Sequence, residues 1–364
     1  MSTPILDREN RPSTARPVPS ELFPGVVIVC PADAPEDVWL RERLNGIGGS
    51  DVAAAVGISR YSSPYRVWAE KTGRSDPEPD EASRERMLWG HLLEPVIRAE
   101  FARRHPEFIV VPGEGTYARV GALWQRVNVD GLVFDRKTGA LLGVLEIKTG
   151  THWQLDAWEG EEIPVSYTAQ GQWANWVLGE EAQRTFYAAL LDTSTYVEKV
   201  NPRDDELIAD LVDLASDLWR HVEDDTLPPI DGSAATTETL RRIKALVGER
   251  VDLDPSWRKG VARRDELSEE IKALKKERDE IDNQLREAMG TATEAYLDGE
   301  PVFTNRPTAG GRSTDYDGFQ LAAPDLYEQF VTVGEPGRTL RRKTTKKKNT
   351  RTTTTTQAAG ENAA

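Results

Sequence analysis

Cysteine is almost absent from this chain of 364 residues, which has only Cys30. A single thiol can form no intramolecular disulfide, and it excludes a cysteine cluster that would bind zinc or an iron–sulfur centre. The sequence also has no run of about 18 apolar residues and no basic-then-apolar pattern at its N-terminus, so neither a membrane span nor a secretory signal is predicted. We therefore expect a soluble, cytoplasmic protein without membrane contact.

An excess of basic residues is lacking as well. The 46 Lys and Arg residues are outnumbered by 61 Asp and Glu, which gives a formal net charge of −15. Any contact with nucleic acid is therefore expected to be confined to a local positive groove or to phosphates bridged by a metal ion. The net charge by itself neither establishes nor excludes DNA binding.

What the sequence does contain is an acid, a turn and then a second acid inside an apolar strand. Side chains alternate between faces along a strand, so Glu146 and Lys148 project from one face and their apolar neighbours from the other. Asp130 ends an earlier extended stretch, and residues 135–139 form a turn that folds the chain back for pairing. These three ionisable groups are predicted to converge on adjacent strands.

Such a set of side chains suits phosphodiester chemistry. Two carboxylates supply the hard oxygen ligands that Mg²⁺ or Mn²⁺ requires, and an ammonium group beside them can orient a water or neutralise charge on a phosphate. The alternative is a surface hairpin in which Glu146 and Lys148 form a solvated ion pair. An E-x-K triplet alone does not decide between the two interpretations.

Five blocks carry a resemblance to a known family. In chain order they are residues 43–52 (RLNGIGGSDV), 89–95 (WGHLLEP), 129–131 (VDG), 145–149 (LEIKT) and 169–173 (AQGQW). Together they resemble the YqaJ-like viral recombinases, the phage lambda exonuclease branch of the PD-(D/E)XK nucleases. The resemblance covers about residues 40–200 and implies an α/β PD-(D/E)XK restriction-endonuclease-like core, with a central mixed sheet flanked by helices.

The resemblance also implies a metal site. Asp130, Glu146 and Glu94 would bind Mg²⁺, or Mn²⁺ as an alternative, helped by the carbonyl of Ile147. Lys148 would position the attacking water and stabilise charge on the scissile phosphate. Glu94 lies among apolar residues of a predicted helix, which favours a ligand over a solvated surface residue.

Further residues take roles from the same resemblance. Arg43 and Ser50 flank a glycine turn and would hold the 5′-terminal phosphate of a DNA end, and Asn128 could serve the same pocket. Their alternative roles are a surface charge for Arg43 and a helix cap for Ser50. Gln170, the first glutamine of its block, would reach the active centre. Val129 stands where the family often has proline, but proline supplies no ligand.

Composition and periodicity divide the chain into five segments. Prolines at seven positions before residue 36 and few large apolar residues predict a disordered leader. A helix over 83–104 is predicted to bury an apolar stripe of Leu88, Leu92, Leu93, Val96, Ile97 and Phe101. The predicted segments are a disordered leader (1–35), the nuclease core (36–225), a linker and helical arm (226–290), a small appended segment (291–337) and a basic, threonine-rich disordered tail (338–364).

The arm shows the heptad spacing of a coiled coil. Apolar or long side chains step by four and three residues at positions 267, 271, 274, 278, 281, 285 and 288, with dense charge elsewhere. Self-association and a single amphipathic helix folded back on the core both fit this pattern. The tail has eight Lys or Arg between Arg338 and Arg351, which could bind phosphates weakly.

The function implied is that of a metal-dependent DNA exonuclease. It would hydrolyse linear duplex DNA in the 5′-to-3′ direction from phosphorylated ends, as a phage or prophage protein in a bacterial host. Its partners would be double-stranded DNA ends and a phage single-strand annealing protein. The alternatives are an endonuclease on the same core and a catalytically silent DNA-binding or scaffold protein.

Overall fold

The computed structural model describes residues 17–75, 81–151, 154–192, 194–242, 251–307 and 315–331. Contacts within the chain divide it into two compact units, one of which contains residues 17–242 and the other residues 251–331. The basic tail predicted over 338–364 and the first 16 residues of the predicted leader lie outside the described residues.

Strands and helices alternate through the first unit. Its strands are β1 (Val18–Pro19), β2 (Val26–Pro31), β3 (Phe108–Val111), β4 (Gly115–Arg119), β5 (Ala122–Val127), β6 (Gly131–Asp135), β7 (Leu141–Gly150), β8 (Arg184–Leu191) and β9 (Thr195–Pro202). Its helices are α1 (Glu36–Arg43), α2 (Gly49–Ala55), α3 (Pro64–Lys71), α4 (Glu81–Arg104), α5 (Val165–Leu178), α6 (Asp205–Glu223) and α7 (Ala234–Arg242).

The five-stranded sheet of this unit is mixed and has the order β3-β6-β7-β8-β9. Only β7 and β8 pair in parallel, and the turn after β6 makes β6 and β7 an antiparallel hairpin as predicted. A second, four-stranded sheet has the order β1-β2-β4-β5. The predicted α/β core with a central mixed sheet is confirmed.

Two helices cover the central sheet from opposite sides. Ile97 and Phe101 of α4 pack with Leu145 and Ile147 of β7. On the other face of β7, α5 packs with Val144, which belongs to a separate apolar cluster. The period of two along β7 therefore buries apolar side chains on both faces and leaves Glu146 and Lys148 on the α5 side.

The extended chain on the two sides of Asp130 belongs to two separate strands. β5 pairs with β4 in the four-stranded sheet, whereas β6 pairs with β3 and β7 in the central sheet. Residues 128–130 cross between the two sheets. The apolar alternation continues through the crossing because Val129 is also buried, so the pattern alone conceals the break.

The predicted disordered leader is wrong for residues 17–35. β2 pairs with β4, and Val26, Val29 and Cys30 are buried. Phe23 is fully buried against Tyr117, with ring centroids 5.5 Å apart. Frequent prolines did not prevent folding here because a short apolar run between them, VVIVC, supplies enough surface to bury.

The packed unit also extends beyond the predicted boundary at residue 225. The hydroxyl of Thr236 on α7 lies 2.8 Å from the hydroxyl of Ser63, which caps α3. Both residues are buried, as is Thr239. Their small polar side chains give no apolar periodicity, which explains why the sequence did not indicate this helix.

The predicted buried stripe of α4 is only partly correct. Ile97 and Phe101 are buried and Leu93 is partly buried, but Leu88, Leu92 and Val96 are more than half exposed. Apolar residues on α4 cover more than one side of the helix, and only one side faces the sheet. Counting intervals of three and four does not identify that side.

The second unit is built around α8 (Trp257–Met289), a helix of 33 residues. A hairpin of β10 (Glu294–Leu297) and β11 (Glu300–Thr304) follows, and then two short helices, α9 (Tyr316–Ala322) and α10 (Pro324–Phe330). The predicted long helix is present. No residue of α8 is buried among the described residues, and Ile271, Leu274 and Ile281 of the heptad positions are at least half exposed.

Candidate active site

Strand β7 places a glutamate and a lysine under α5. The Lys148 ammonium donates to Glu146 Oε1 and to Gln170 Oε1, the latter at 3.1 Å. The Gln170 amide donates to the same Glu146 oxygen. The side chains of Glu146 and Lys148 are only 2% and 15% exposed, so this pair is not the solvated hairpin pair that was the alternative.

Asp130 lies where the pairing of β6 with β7 ends. The last pair of this ladder joins Gly131 to Leu145, and beyond it the N–H of Ile147 donates to Asp130 Oδ2 at 2.7 Å. A buried backbone donor must find an acceptor, and here the acid takes the place of a strand partner. Asp130 is thereby fixed beside the backbone between Glu146 and Lys148.

Glu94 reaches the same region from the opposite face of the sheet. It lies on α4, where its carboxylate accepts a hydrogen bond from Arg98 one helical turn later. α4 approaches the end of β7 closely at Gly90, where an added Cβ would lie 3.9 Å from Thr149 Oγ1. Glu94 is 29% exposed.

The three acids influence one another electrostatically. Burial, together with the charges of Asp130 and Glu94, raises the pKa of Glu146 to about 7 despite the nearby Lys148. Burial and the charge of Asp130 likewise raise the pKa of Glu94, and burial raises the pKa of Asp130. Burial would lower the pKa of Lys148, but Glu146 and Asp130 outweigh it and raise that pKa. The three acids thus form one cluster whose members raise each other's affinity for protons.

Each acid is nevertheless held by protein donors. In the part of the chain that the structure describes, no group of three or more His, Cys, Asp or Glu side chains is arranged to hold a metal ion as it stands. Glu94 faces Arg98, Asp130 faces the Ile147 N–H, and one oxygen of Glu146 accepts from both Lys148 and Gln170. The other oxygen of Glu146, Oε2, is buried without a hydrogen-bond partner.

The glycine turn that precedes α2 lies next to this cluster. Ile47 pairs with β5 through Gln125, and a Cβ added at Gly49 would lie 3.3 Å from the Cγ of Gln170. The turn is therefore adjacent to the side chain that bonds both Glu146 and Lys148. Gly49 permits this close approach because it has no Cβ.

Arg43, one of the predicted phosphate ligands, is held by a buried acid. Its Nη2 donates to Asp51 Oδ1 at 2.9 Å, and Lys71 Nζ donates to the other Asp51 oxygen at 2.6 Å. Although burial raises the pKa of Asp51, Lys71 and Arg43 together hold it well below its usual range. The Arg43 side chain remains one-third exposed.

The structure corrects the predicted cap of α2. Gly48 is the N-cap, and its N–H donates to Asp51 Oδ2 at 3.3 Å, so Ser50 is not the cap. Ser50 lies in the first turn and is exposed. Asn128 is also exposed and accepts a hydrogen bond from the Thr116 hydroxyl at 3.0 Å.

Sequence reasoning missed two residues of this region. Arg98 pairs with Glu94, and the spacing of four residues on a helix could have indicated it. Tyr167 lies three residues before Gln170 on α5, and its ring centroid is 5.0 Å from Lys148 Nζ. By contrast, the Gln172 amide donates to the Pro202 carbonyl and accepts from the Asp204 N–H, so of the two glutamines in this block Gln170 is the one at the cluster.

Comparison with known proteins finds a family resemblance. Residues 38–181 match the model of the YqaJ-like viral recombinase domain. Over these residues the chain is similar to that domain. The match includes Glu94, Asp130, Glu146 and Lys148, and the resemblance read from the sequence is confirmed.

Individual proteins and solved structures resemble this chain at 21–29% sequence identity. The chain is 29% identical over 314 residues to "Uncharacterized protein YqaJ" of Bacillus subtilis (strain 168), covering 80% of this chain and 90% of that protein. A crystal structure of an alkaline exonuclease (LHK-Exo) from Laribacter hongkongensis matches with a TM-score of 0.42, at 21% identity over 52% of this chain and 93% of that one. Its complex with dAMP matches with the same TM-score at 24% identity, over 52% of this chain and 93% of that one.

Across the described residues, no helix is both long enough and apolar enough to cross a bilayer.

Proposed function

We propose that this protein is a metal-dependent DNA exonuclease. The observation that carries the proposal is the buried, unpartnered Oε2 of Glu146 within a cluster of three acids beside a lysine. A buried acceptor without a partner costs free energy, and a divalent cation is the group that would satisfy it and the negative charge together. The match to the YqaJ-like viral recombinase model supports a function that acts on DNA.

The residues present fit a hard cation. Glu94, Asp130, Glu146 and the carbonyl of Ile147 would hold Mg²⁺ or Mn²⁺, with Glu94 exchanging its contact with Arg98 for the ion. Such a cation would supply stabilisation of the phosphate charge and an activated water. Lys148 would orient that water and neutralise charge on the scissile phosphate, while Gln170 fixes Lys148 and Glu146 relative to each other.

A preference for phosphorylated 5′ ends, and hence 5′-to-3′ resection, is proposed from the neighbouring glycine turn. Arg43 has a partly exposed guanidinium fixed by Asp51, and the Ser50 hydroxyl is exposed. The turn contacts Gln170 through Gly49, so an anion bound there would lie close to the acid cluster. Asn128 lies on the crossing between β5 and Asp130 and is exposed, and it would contact the same ligand. Such resection would serve single-strand annealing recombination with a phage annealing protein.

The test is digestion of three DNA substrates in Mg²⁺, Mn²⁺ or EDTA. They are linear duplex with a 5′ phosphate, the same duplex without it, and a closed circle. We expect progressive loss of the phosphorylated linear DNA only, and only with a cation. Nicking of closed circles would show that the protein is an endonuclease instead. If the protein binds DNA but cleaves none of the three substrates, it is the catalytically silent DNA-binding protein.

A further inference from the structure

The ammonium group of Lys148 has neighbours on three sides. Glu146 Oε1 and Gln170 Oε1 each accept a hydrogen bond from it, and the Tyr167 ring centroid lies 5.0 Å from Nζ. An ammonium group has three donors, and these two acceptors engage only two of them. The aromatic face supplies the third restraint.

Tyr167 is itself held independently of Lys148. Its carbonyl accepts a hydrogen bond from the buried Tyr187 hydroxyl at 3.0 Å, and its ring packs on Trp158 with centroids 5.7 Å apart. Tyr167 and Gln170 are three residues apart on α5, so both project from the same side of the helix toward β7. α5 comes this close to the sheet at Gly171, where a Cβ would meet the Tyr187 hydroxyl at 2.1 Å.

We infer that Tyr167 is a positioning residue of the nuclease reaction, which holds the Lys148 ammonium through its aromatic face. A carboxylate at the position of the Tyr167 ring would compete with the acid cluster for the metal ion. A second amide there could accept a hydrogen bond from Lys148 in only one of its rotamers. An aromatic face attracts the cation while it accepts no proton and binds no hard metal. The inference rests on the proposed function, because it assigns Lys148 a role in that reaction.

Packing against Trp158 alone would explain a partly buried aromatic residue here. It would not explain why the ring faces an ammonium group that is only 15% exposed and already bonds two other partners. The two explanations differ in what happens when the ring is kept but its negative face is weakened. Packing is then unchanged, whereas the attraction for the ammonium group declines.

The experiment replaces Tyr167 by Phe and by phenylalanines with one, two and three ring fluorines, which weaken the face at nearly constant shape. Tyr167→Leu removes the face altogether. The matched control is Tyr196→Leu, which removes a ring that also carries a cation, Arg104, at 4.2 Å but lies outside the site. For each protein we would measure kcat and KM on phosphorylated duplex, the melting temperature, and the NMR shift of the Lys148 ε-methylene group, assigned by its loss in Lys148→Arg.

We expect Tyr167→Phe to retain kcat and the ring-current shift of Lys148. Successive fluorines should lower kcat stepwise at constant KM, and Tyr167→Leu should lower it by roughly 2- to 30-fold, the range that a cation–π contact of about 0.5–2 kcal/mol provides. Tyr196→Leu should leave kcat unchanged. A kcat that is indifferent to fluorination, or a Lys148 shift equal in wild type and Tyr167→Leu, would overturn the inference.

The NMR comparison separates this inference from the proposed function. If the wild-type protein cleaves no DNA, the proposed function fails, while the Lys148 shift still reports whether the ring holds the ammonium group. If the protein cleaves DNA but the shift is absent, only the inference about Tyr167 fails.

Discussion

Two regions of this protein carry the same kind of ion pair with opposite consequences. On β7, Lys148 pairs with Glu146, and the two side chains are 15% and 2% exposed. On α8, Lys276 lies 3.5 Å from Glu280, and the two side chains are 80% and 62% exposed. Water screens the second pair, and such pairs contribute between about 0 and 1 kcal/mol. Burial, not residue type, distinguishes the first pair from the second.

The same contrast extends to the surroundings of each pair. The β7 pair shares Glu146 with an amide and adjoins two more acids, so its charges cannot be relieved by solvent. The pairs along α8 join residues of a single helix and leave its apolar heptad positions exposed. The core concentrates charge at the candidate site, whereas the arm distributes charge along a solvated surface.

The largest expected effect separates the two lysines. Lys148→Ala should reduce cleavage of phosphorylated duplex by at least about 10²- to 10³-fold, because it removes a cation beside the scissile phosphate. Lys276→Ala should leave the rate unchanged. Both rates are measured in Mg²⁺ with proteins shown by circular dichroism to be folded. Equal rates for wild type and Lys148→Ala would contradict the assignment of Lys148.

A second comparison concerns stability. Asp51→Asn leaves the buried Lys71 without its anion and should lower the free energy of unfolding by about 3–5 kcal/mol. Asp279 is the exposed partner of Arg278 on α8, and Asp279→Asn should change the free energy of unfolding by less than about 0.5 kcal/mol. Urea denaturation measures both values. A loss below about 1 kcal/mol for Asp51→Asn would mean that Lys71 finds other compensation.

A third comparison uses two isoleucines. Ile97→Ala on α4 should cost about 2–5 kcal/mol because Ile97 is 2% exposed, whereas Ile271→Ala on α8 removes a side chain that is 51% exposed and should cost little. The thermal unfolding of the wild type and of both variants is measured at two protein concentrations. If the wild-type melting temperature rises with concentration and Ile271→Ala abolishes that rise, the heptad positions of α8 mediate self-association.

The smallest expected effect depends on pH. His105 lies 2.7 Å from Glu198 and 3.1 Å from Glu107, and although burial lowers its pKa, these two hydrogen bonds outweigh burial and raise it. A raised pKa in the folded state stabilises the protein at low pH, and this stabilisation is lost as the pH rises through the folded pKa. The difference in melting temperature between wild type and His105→Gln should therefore be largest near pH 5.5 and should shrink above neutral pH. A difference that grows with pH would be the contrary result.

Much of the fold was predictable because its signals are local. The alternation around Glu146, the turn at 135–139 and the periodicity of α8 each depend on a few neighbouring residues. The break between β5 and β6 was not predictable, since Val129 continues the apolar pattern across it. The folded strand β2 was concealed by the prolines around it.

The contacts of the candidate site could be predicted less well than its members. The convergence of Asp130 and Glu146 follows from pairing of adjacent strands, and Glu94 and Gln170 came from the family resemblance. That Glu94 approaches from the face opposite to Gln170 depends on how α4 and α5 pack on the sheet, which no local pattern encodes. The same holds for the Arg98 and Tyr167 contacts and for the Asp51–Lys71 pair, which joins positions 20 residues apart.

The hydrogen bond from the Ile147 N–H to Asp130 makes the first acid dependent on correct hairpin pairing. A slip of β7 by one residue would turn Glu146 and Lys148 to the opposite side of the sheet and would offer Asp130 a different amide. A copy with this slip would thus lose Asp130, Glu146 and Lys148 from the cluster together. Under the proposed function, such a copy would cleave no DNA until the correct hairpin had closed.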